Sequence, residues 1–268
     1  MVSKKNVVIQ YLFHSGFAVE SGNYLLIFDY FDSFAGIRKK SDEIRLNAYF
    51  LYEELSNKIK SFKYPFVFVS HNHYDHFSPI VFEWIKLNPN LTYILSNDIQ
   101  LIEKDKFKWS EIDCIKMSPY QSTRKDGLDI TTFGSTDIGV SFYVGLNGLK
   151  LFHAGDLNWW HWADESTEDE LEEEEKKFKE EVARIEGNPI DIMFFPVDPR
   201  LGDYYWLGGS YMIEVFKPGL FVPMHFAENT DIIRKFVDRM KKHKVPIFAI
   251  NQIGQYYNYD LGVKSPNK

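Results

Sequence analysis

The stretch Phe66–Pro79 reads FVFVSHNHYDHFSP. It places His71, His73, Asp75 and His76 within six residues, directly after an apolar run of β-formers. The whole chain has eight histidines, and three of them fall here. Crowding imidazoles and a carboxylate has little structural benefit; it is accounted for if a cation sits among them. FVFVS reads as a buried strand, and Ser78-Pro79 as the start of a helix through Leu87, with Ser as the cap and Pro at the first helical position. The cluster thus lies in a loop at the C-terminal end of a strand. There the strand end is fixed and the loop can turn side chains inward. Zinc takes His nitrogen and carboxylate oxygen, and neutral imidazole is the commonest protein ligand. In an extended backbone His71 and His73 alternate and point the same way. Asp75 and His76 are adjacent and point apart, which would suit two different ions.

The 268 residues are 44% hydrophobic and 17% aromatic, enough for one large core, and no Gly/Ser- or Pro-rich linker divides them. A net charge of −7 and the lack of a basic face argue against a nucleic-acid partner. The single cysteine, Cys114, cannot form an internal disulfide and reads as a small buried hydrophobe. No secretory leader and no membrane span is evident, so the expected location is the cytoplasm.

Strands are expected at Asn6–Leu12, from Phe17, at LLIFDY, FVFVS, LTYIL, IDCIKM, LDITTF, GVSFYVGL, LKLFHAG, DIMFFPV, GLFVPMHF and VPIFAI. Helices are expected at Asn47–Lys60 (apolar Tyr49, Phe50, Tyr52, Leu55, Ile59), briefly from about Asn97, at Thr167–Glu186, GGSYMIEVF and Asn229–Lys241. Asn147-Gly148 is the type I′ hairpin pair. The acidic run Glu172–Glu175 reads as a solvated face. Strands followed by alternating strands and helices, twice over, imply an α/β fold with two sheets packed together and helices outside.

With these elements in place, His71-x-His73-x-Asp75-His76 resembles the signature of the metallo-β-lactamase superfamily. LFHAGDLN resembles its later strand ending in a bridging aspartate, here Asp156. VPMHF resembles its last ligand motif, here His225, and LLIFDYF its third strand, with Asp29 in the place of the structural acid. HSGF, HAGD and PMHF look most like the branch holding the ascorbate-6-phosphate lactonases. The resemblance spans roughly Val8 to Phe226. It implies a four-layer αβ/βα sandwich of two mixed sheets over 1–268, a single hydrolase domain with a charged helical insertion at about 163–187. It also implies that His71 and His73 hold one ion, that Asp75, His76 and His225 hold a second, and that Asp156 bridges them. The superfamily's third histidine for the first ion falls in TTFGSTDIG, which has none; Ser135, Thr136 or Asp137 stands there. An oxygen-richer site is less selective for zinc and friendlier to manganese or iron.

Further candidates lie outside these motifs. His153 lies three residues before Asp156 on a strand and reads as structural. His161, in NWWHW, either walls the pocket or accompanies the packing of Trp159, Trp160 and Trp162. Asp198 and Arg200, in PVDPRLGDYYWLGG, either bind polar substrate groups or form a local ion pair that holds a turn. His14 is a candidate for the pocket rim, and His243 reads as solvent-facing. The expectation is a metal-dependent hydrolase holding one or two divalent ions, zinc first and manganese or iron admitted. A metal-bound hydroxide would cleave a small ester, lactone or phosphodiester, with Asp75 as ligand and orienting base and His161, Asp198 and Arg200 on the substrate. The alternatives are a nuclease-type phosphodiesterase and a non-catalytic metal sensor with a degraded first site.

Overall fold

A computed structural model describes residues 5–31, 42–100 and 112–262. The chain divides into two compact units, each built on one sheet. The first unit contains β1 (Lys5–Phe13), β2 (Gly16–Ser21), β3 (Tyr24–Phe28), α1 (Asp42–Ser61), β4 (Tyr64–Val69), β5 (Thr92–Ser96), β6 (Asp113–Met117) and β13 (Tyr256–Leu261). Its seven strands run β13-β1-β2-β3-β4-β5-β6. The β13, β1, β2 and β3 pairings are antiparallel; β3, β4, β5 and β6 are parallel. Strands buried on both faces read as unbroken apolar runs, and β3 and β4 do so over Leu25–Phe28 and Pro65–Val69.

Leu51, Leu55 and Ile59, four residues apart, form the buried stripe of α1. They pack with Leu25, Val67 and Trp84. Tyr49 and Phe50, expected on that stripe, are instead exposed. The segment after Ser78 is a 3₁₀ helix (Pro79–Lys86) rather than an α-helix, and the Ser78 side chain makes no capping bond. The short helix expected from about Asn97 falls largely outside the described residues; Asn97 and Asp98 form a turn. Cys114 is half-buried, and desolvation pushes its thiol up to about 11.

The strand expected at VPIFAI makes one isolated bridge, Phe221 to Ile247. The real last strand is β13, which pairs with β1 from Lys5↔Leu261 to Gln10↔Tyr256. It is fastened to α1 through Lys58, whose ammonium donates to Gln10 Oε1 and Tyr256 Oη (both 2.7 Å) and contacts Glu20 (2.8 Å) and Glu54 (3.0 Å).

The second unit contains β7 (Ser122–Lys125), β8 (Leu128–Phe133), β9 (Ser141–Leu146), β10 (Leu149–His153), α2 (Glu168–Ile185), β11 (Ile192–Pro196), α3 (Leu207–Phe216), β12 (Leu220–Met224) and α4 (Thr230–Met240). Its six strands run β12-β11-β10-β9-β8-β7. Here β10, β11 and β12 are parallel and the rest antiparallel. Asn147 and Gly148 both have positive φ, 53° and 89°, as the expected hairpin turn requires. The helix α2 starts with a capping box, Thr167 with Glu170. Among the described residues no helix is long and apolar enough to cross a membrane.

Candidate metal centre

In both units the chemistry-bearing residues follow the carboxyl ends of adjacent parallel strands, the ordinary place for ligand sites in α/β sheets. Asp29 follows β3 and His71 follows β4; Asp156 follows β10, Asp198 follows β11 and His225 follows β12. Three of the site residues, His14 (φ 54°), Asp29 (41°) and His225 (64°), hold left-handed backbone. Such positions cost free energy in non-glycine residues and cluster where function requires them.

In the first unit Asp29 is fully buried, and its carboxylate accepts from Ser70 and His76. Its Oδ1 receives the Ser70 amide (2.8 Å), and its Oδ2 receives the Ser70 hydroxyl (2.6 Å) and His76 Nδ1 (2.8 Å). An ionised carboxylate only accepts, so His76 carries its proton on Nδ1. Ser70 gives its one proton to Asp29. Its oxygen therefore accepts from His71 Nδ1, 2.9 Å away. One carboxylate thus fixes two histidine tautomers, leaving each Nε2 with a lone pair. This is the arrangement that orients metal-binding imidazoles.

The loop between His73 and Phe77 is a turn, not extended chain: the His76 and Phe77 amides both bond to the His73 carbonyl (3.1 and 3.0 Å). Asp75 and His76, expected to point apart, therefore converge. With His14 they offer three ligand atoms within 4.8 Å of one another. His14 Nε2 lies 3.4 Å from Asp75 Oδ2, and His71 Nε2 lies 3.1 Å from His73 Nδ1.

In the second unit His225 Nδ1 donates to Asp198 Oδ2 (2.9 Å), and its Nε2 lies 3.3 Å from Asp156 Oδ1. Both residues are buried. Asp137 places a carboxylate oxygen within 4.8 Å of that of Asp156. Trp160 Nε1 donates to the Asp156 carbonyl (3.1 Å), and its ring stands edge-on to His225.

The 3.3–3.4 Å His–Asp separations exceed the ~2.7–2.9 Å of charge-assisted hydrogen bonds. They match the ~3.3 Å between two ligands that share one tetrahedral ion at ~2.0–2.1 Å. The His14–Asp75 and His225–Asp156 pairs therefore have the chemistry and the spacing of two ligands to one divalent cation.

Of the two roles expected for Asp198 and Arg200, the structure shows the local ion pair that holds a turn. The Asp198 carboxylate is 1% exposed and engaged by the Arg200 amide (2.8 Å), Arg200 Nε (2.9 Å) and His225. Burial opposes its charge, but the His225 and Arg200 hydrogen bonds overcome that and hold the carboxyl down at about 2. Asp198 orients His225 as Asp29 orients His76. The Arg200 guanidinium is exposed and lines a cleft with His161, Trp162, Asp203 and Tyr204. His161 packs its ring 4.2 Å from that of Tyr204. Trp159 stacks on Phe178, and Trp160 on Trp162. His153 is fully buried, accepts from the Gly155 amide (3.3 Å) and is structural. His243 is not solvent-facing; its side chain is 15% exposed and lies 3.6 Å from Glu214.

Sequence reasoning undervalued His14 and Asp137. The signal for His14 was the HSG turn between two strands, and for Asp137 a carboxylate where a histidine was expected.

No protein-family model and no curated protein matches the chain. Solved structures do. Igni18, a metallo hydrolase from Ignicoccus hospitalis, is 16% identical with TM-score 0.61, covering 96% of this chain and 99% of that one. The metallo-β-lactamase fold protein YhfI from Bacillus subtilis is 14% identical with TM-score 0.60, covering 95% and 100%. CmlA, a diiron β-hydroxylase from Streptomyces venezuelae, is 10% identical with TM-score 0.58; the match covers 95% of this chain and 54% of that one. The chain has the metallo-β-lactamase fold, as the sequence led one to expect.

Proposed function

We propose that this chain is a metal-dependent hydrolase in which the two donor sets act together. His71, His73 and Asp156 serve one ion, Asp75, His76 and His225 the other, and His14 and Asp137 are added as further donors. The observation that carries this reading is the paired orienting device: Asp29 holds His71 (through Ser70) and His76, and Asp198 holds His225. Three buried histidines with Nδ1 committed to an acceptor present Nε2 as a ligand, and structural packing alone does not require that. The full-length likeness to a metallo hydrolase supports the same reading, although one fold hosts several chemistries.

Bound divalent cations supply Lewis acidity and lower the pKa of water toward neutrality. The chain's own part is to hold and move charge. Asp75 takes a proton from the attacking group on this reading, which its half-buried carboxylate 3.4 Å from His14 supports. His14 can hand that proton on. Arg200, fixed by Asp198 yet exposed, offers a fork to a carboxylate or phosphate. His161 lines the same cleft and can donate to a leaving group.

The substrate on this reading is a small ester, lactone or phosphodiester, as in the lactonase-like branch that HSGF, HAGD and PMHF resemble. A polymeric nucleic acid fits less well with a net charge of −7. The test is a panel of lactones, esters and a generic phosphodiester, assayed on metal-stripped protein with zinc, manganese or iron(II) restored. Turnover that returns with metal supports the hydrolase. Tight metal binding with no turnover of any member contradicts it and favours a sensor.

A further inference from the structure

We infer that Glu181 is a positioning residue for Asp137, and that through it the chain installs an oxygen donor where the resemblance calls for a third histidine, turning the first ion's site toward manganese or iron and away from zinc. This rests on the metal-centre reading above and adds a selectivity to it.

The helix α2 is charged almost throughout, yet its buried stripe of Phe178, Val182 and Ile185 includes Glu181. A buried carboxylate is costly unless its oxygens are satisfied. Here Oε1 accepts the Gly134 amide (2.6 Å) and Oε2 the Tyr120 hydroxyl (2.6 Å). Gly134 opens the 134–137 segment that leaves β8. A Cβ at that position would lie 2.9 Å from the Glu181 carboxyl carbon, so a larger residue would push the carboxylate off the Gly134 amide.

Two residues on, Thr136 pins the same segment to the chain that follows Asp156. Its hydroxyl donates to the Asn158 carbonyl (2.6 Å) and accepts from the Asn158 amide (2.9 Å). The Ser141 hydroxyl donates to the Gly134 carbonyl (3.2 Å). Held at Gly134 and Thr136, the segment delivers Asp137 to within 4.8 Å of Asp156. The two carboxylates thus offer oxygen ligands within reach of one cation. Carboxylate oxygen in place of imidazole nitrogen makes a harder donor set, which suits manganese or iron better than it suits zinc.

The experiment uses full-length, metal-stripped protein. Manganese binding is read from the electron paramagnetic resonance of the free ion, and zinc binding by chelator competition. Wild type is compared with Asp137→His, Asp137→Asn, Glu181→Gln and Gly134→Ala. Asp137→His is expected to raise the zinc-to-manganese affinity ratio by about tenfold or more, and Asp137→Asn to weaken one ion and spare the other. Glu181→Gln and Gly134→Ala, acting through the segment, are expected to weaken manganese at that same ion by about tenfold. The melting temperature of each stripped variant separates selectivity from general destabilisation. If Glu181→Gln lowers that temperature but leaves the ratio alone, Glu181 is only structural and the inference fails. If two ions bind Asp137→His or Asp137→Asn with wild-type affinities, the inference fails while the metal-centre reading stands. A wild type that binds no ion overturns both.

Discussion

Replacing Asp29 by Asn exchanges one buried oxygen for an NH₂ group and leaves the backbone content, since Asn tolerates the left-handed φ of 41° at this position. Two amide orientations are available. If the remaining oxygen keeps the Ser70 amide, the NH₂ faces the Ser70 hydroxyl and His76 Nδ1, both now required to accept. His76 must then move its proton to Nε2. Ser70, deprived of its acceptor, turns its own proton to His71 Nδ1 and forces the same change there. If the amide flips, its NH₂ opposes the Ser70 N–H, and a buried donor is left unsatisfied at a cost of about 1–3 kcal/mol. Either route penalises the ligating state of the histidines. Outer-shell changes of this type cost about 10–100-fold in metal affinity, equivalent to about 1.4–2.8 kcal/mol. Because His71 and His76 are assigned to different ions, both affinities should fall. The assay is chelator competition, with ¹⁵N imidazole shifts of the stripped protein reporting the tautomers. Affinities within about twofold of wild type, with the His76 proton still on Nδ1, would show that Asp29 does not set the ligating tautomers.

Asp156→Asn is expected to abolish metal-dependent turnover and lower metal content, whereas His161→Ala should keep its metal and lose about 10²–10⁴-fold in rate if it assists proton transfer; metal stoichiometry beside rate checks both. Asp198→Asn should weaken the ion held by His225 by about 10–100-fold, read by the same competition. Asp198 also gives a pH signature: its folded value of about 2 lies below the ordinary ~3.9, so its stabilisation is complete above about pH 4 and is lost as pH falls toward 2. The stability difference between wild type and Asp198→Asn in urea unfolding should narrow across that window, and a constant difference would contradict it. Lys58→Met should cost about 1–2 kcal/mol and loosen β13, since it removes an ammonium shared by Gln10, Glu20, Glu54 and Tyr256; hydrogen exchange at Tyr256–Leu261 would show it.

The candidate metal motif was legible because packing alone gives no reason to crowd three imidazoles and a carboxylate into six residues. The strands before each candidate ligand announced themselves as apolar runs of β-formers. What escaped the sequence depended on tertiary partners. Asp75 and His76 were expected to diverge because an extended chain alternates its side chains; the turn closed by the His73 carbonyl brings them together. His14 joins them from a hairpin far earlier in the chain; the HSG turn marked it for the pocket rim, but not its contact with Asp75. VPIFAI has a strand's composition, yet it forms a single bridge, while Tyr256–Leu261 alternates exposed and half-buried residues and becomes the edge strand. Asp198 was expected either on the substrate or in a local ion pair with Arg200; the ion pair is present, but only the burial of Asp198 and its bond to His225 reveal that it also serves a histidine.

If donors from both units hold the same ions, removing a donor from either unit must release metal. Elemental analysis of protein purified without chelator reads this out for wild type, for His76→Ala from the first unit and for Asp156→Ala from the second. Up to two equivalents of divalent metal are expected in wild type and a loss in each variant, with Asp156→Ala losing more because it is assigned to both ions. Metal-free wild type, or metal retained in full by either variant, would rule out a centre shared by the two units.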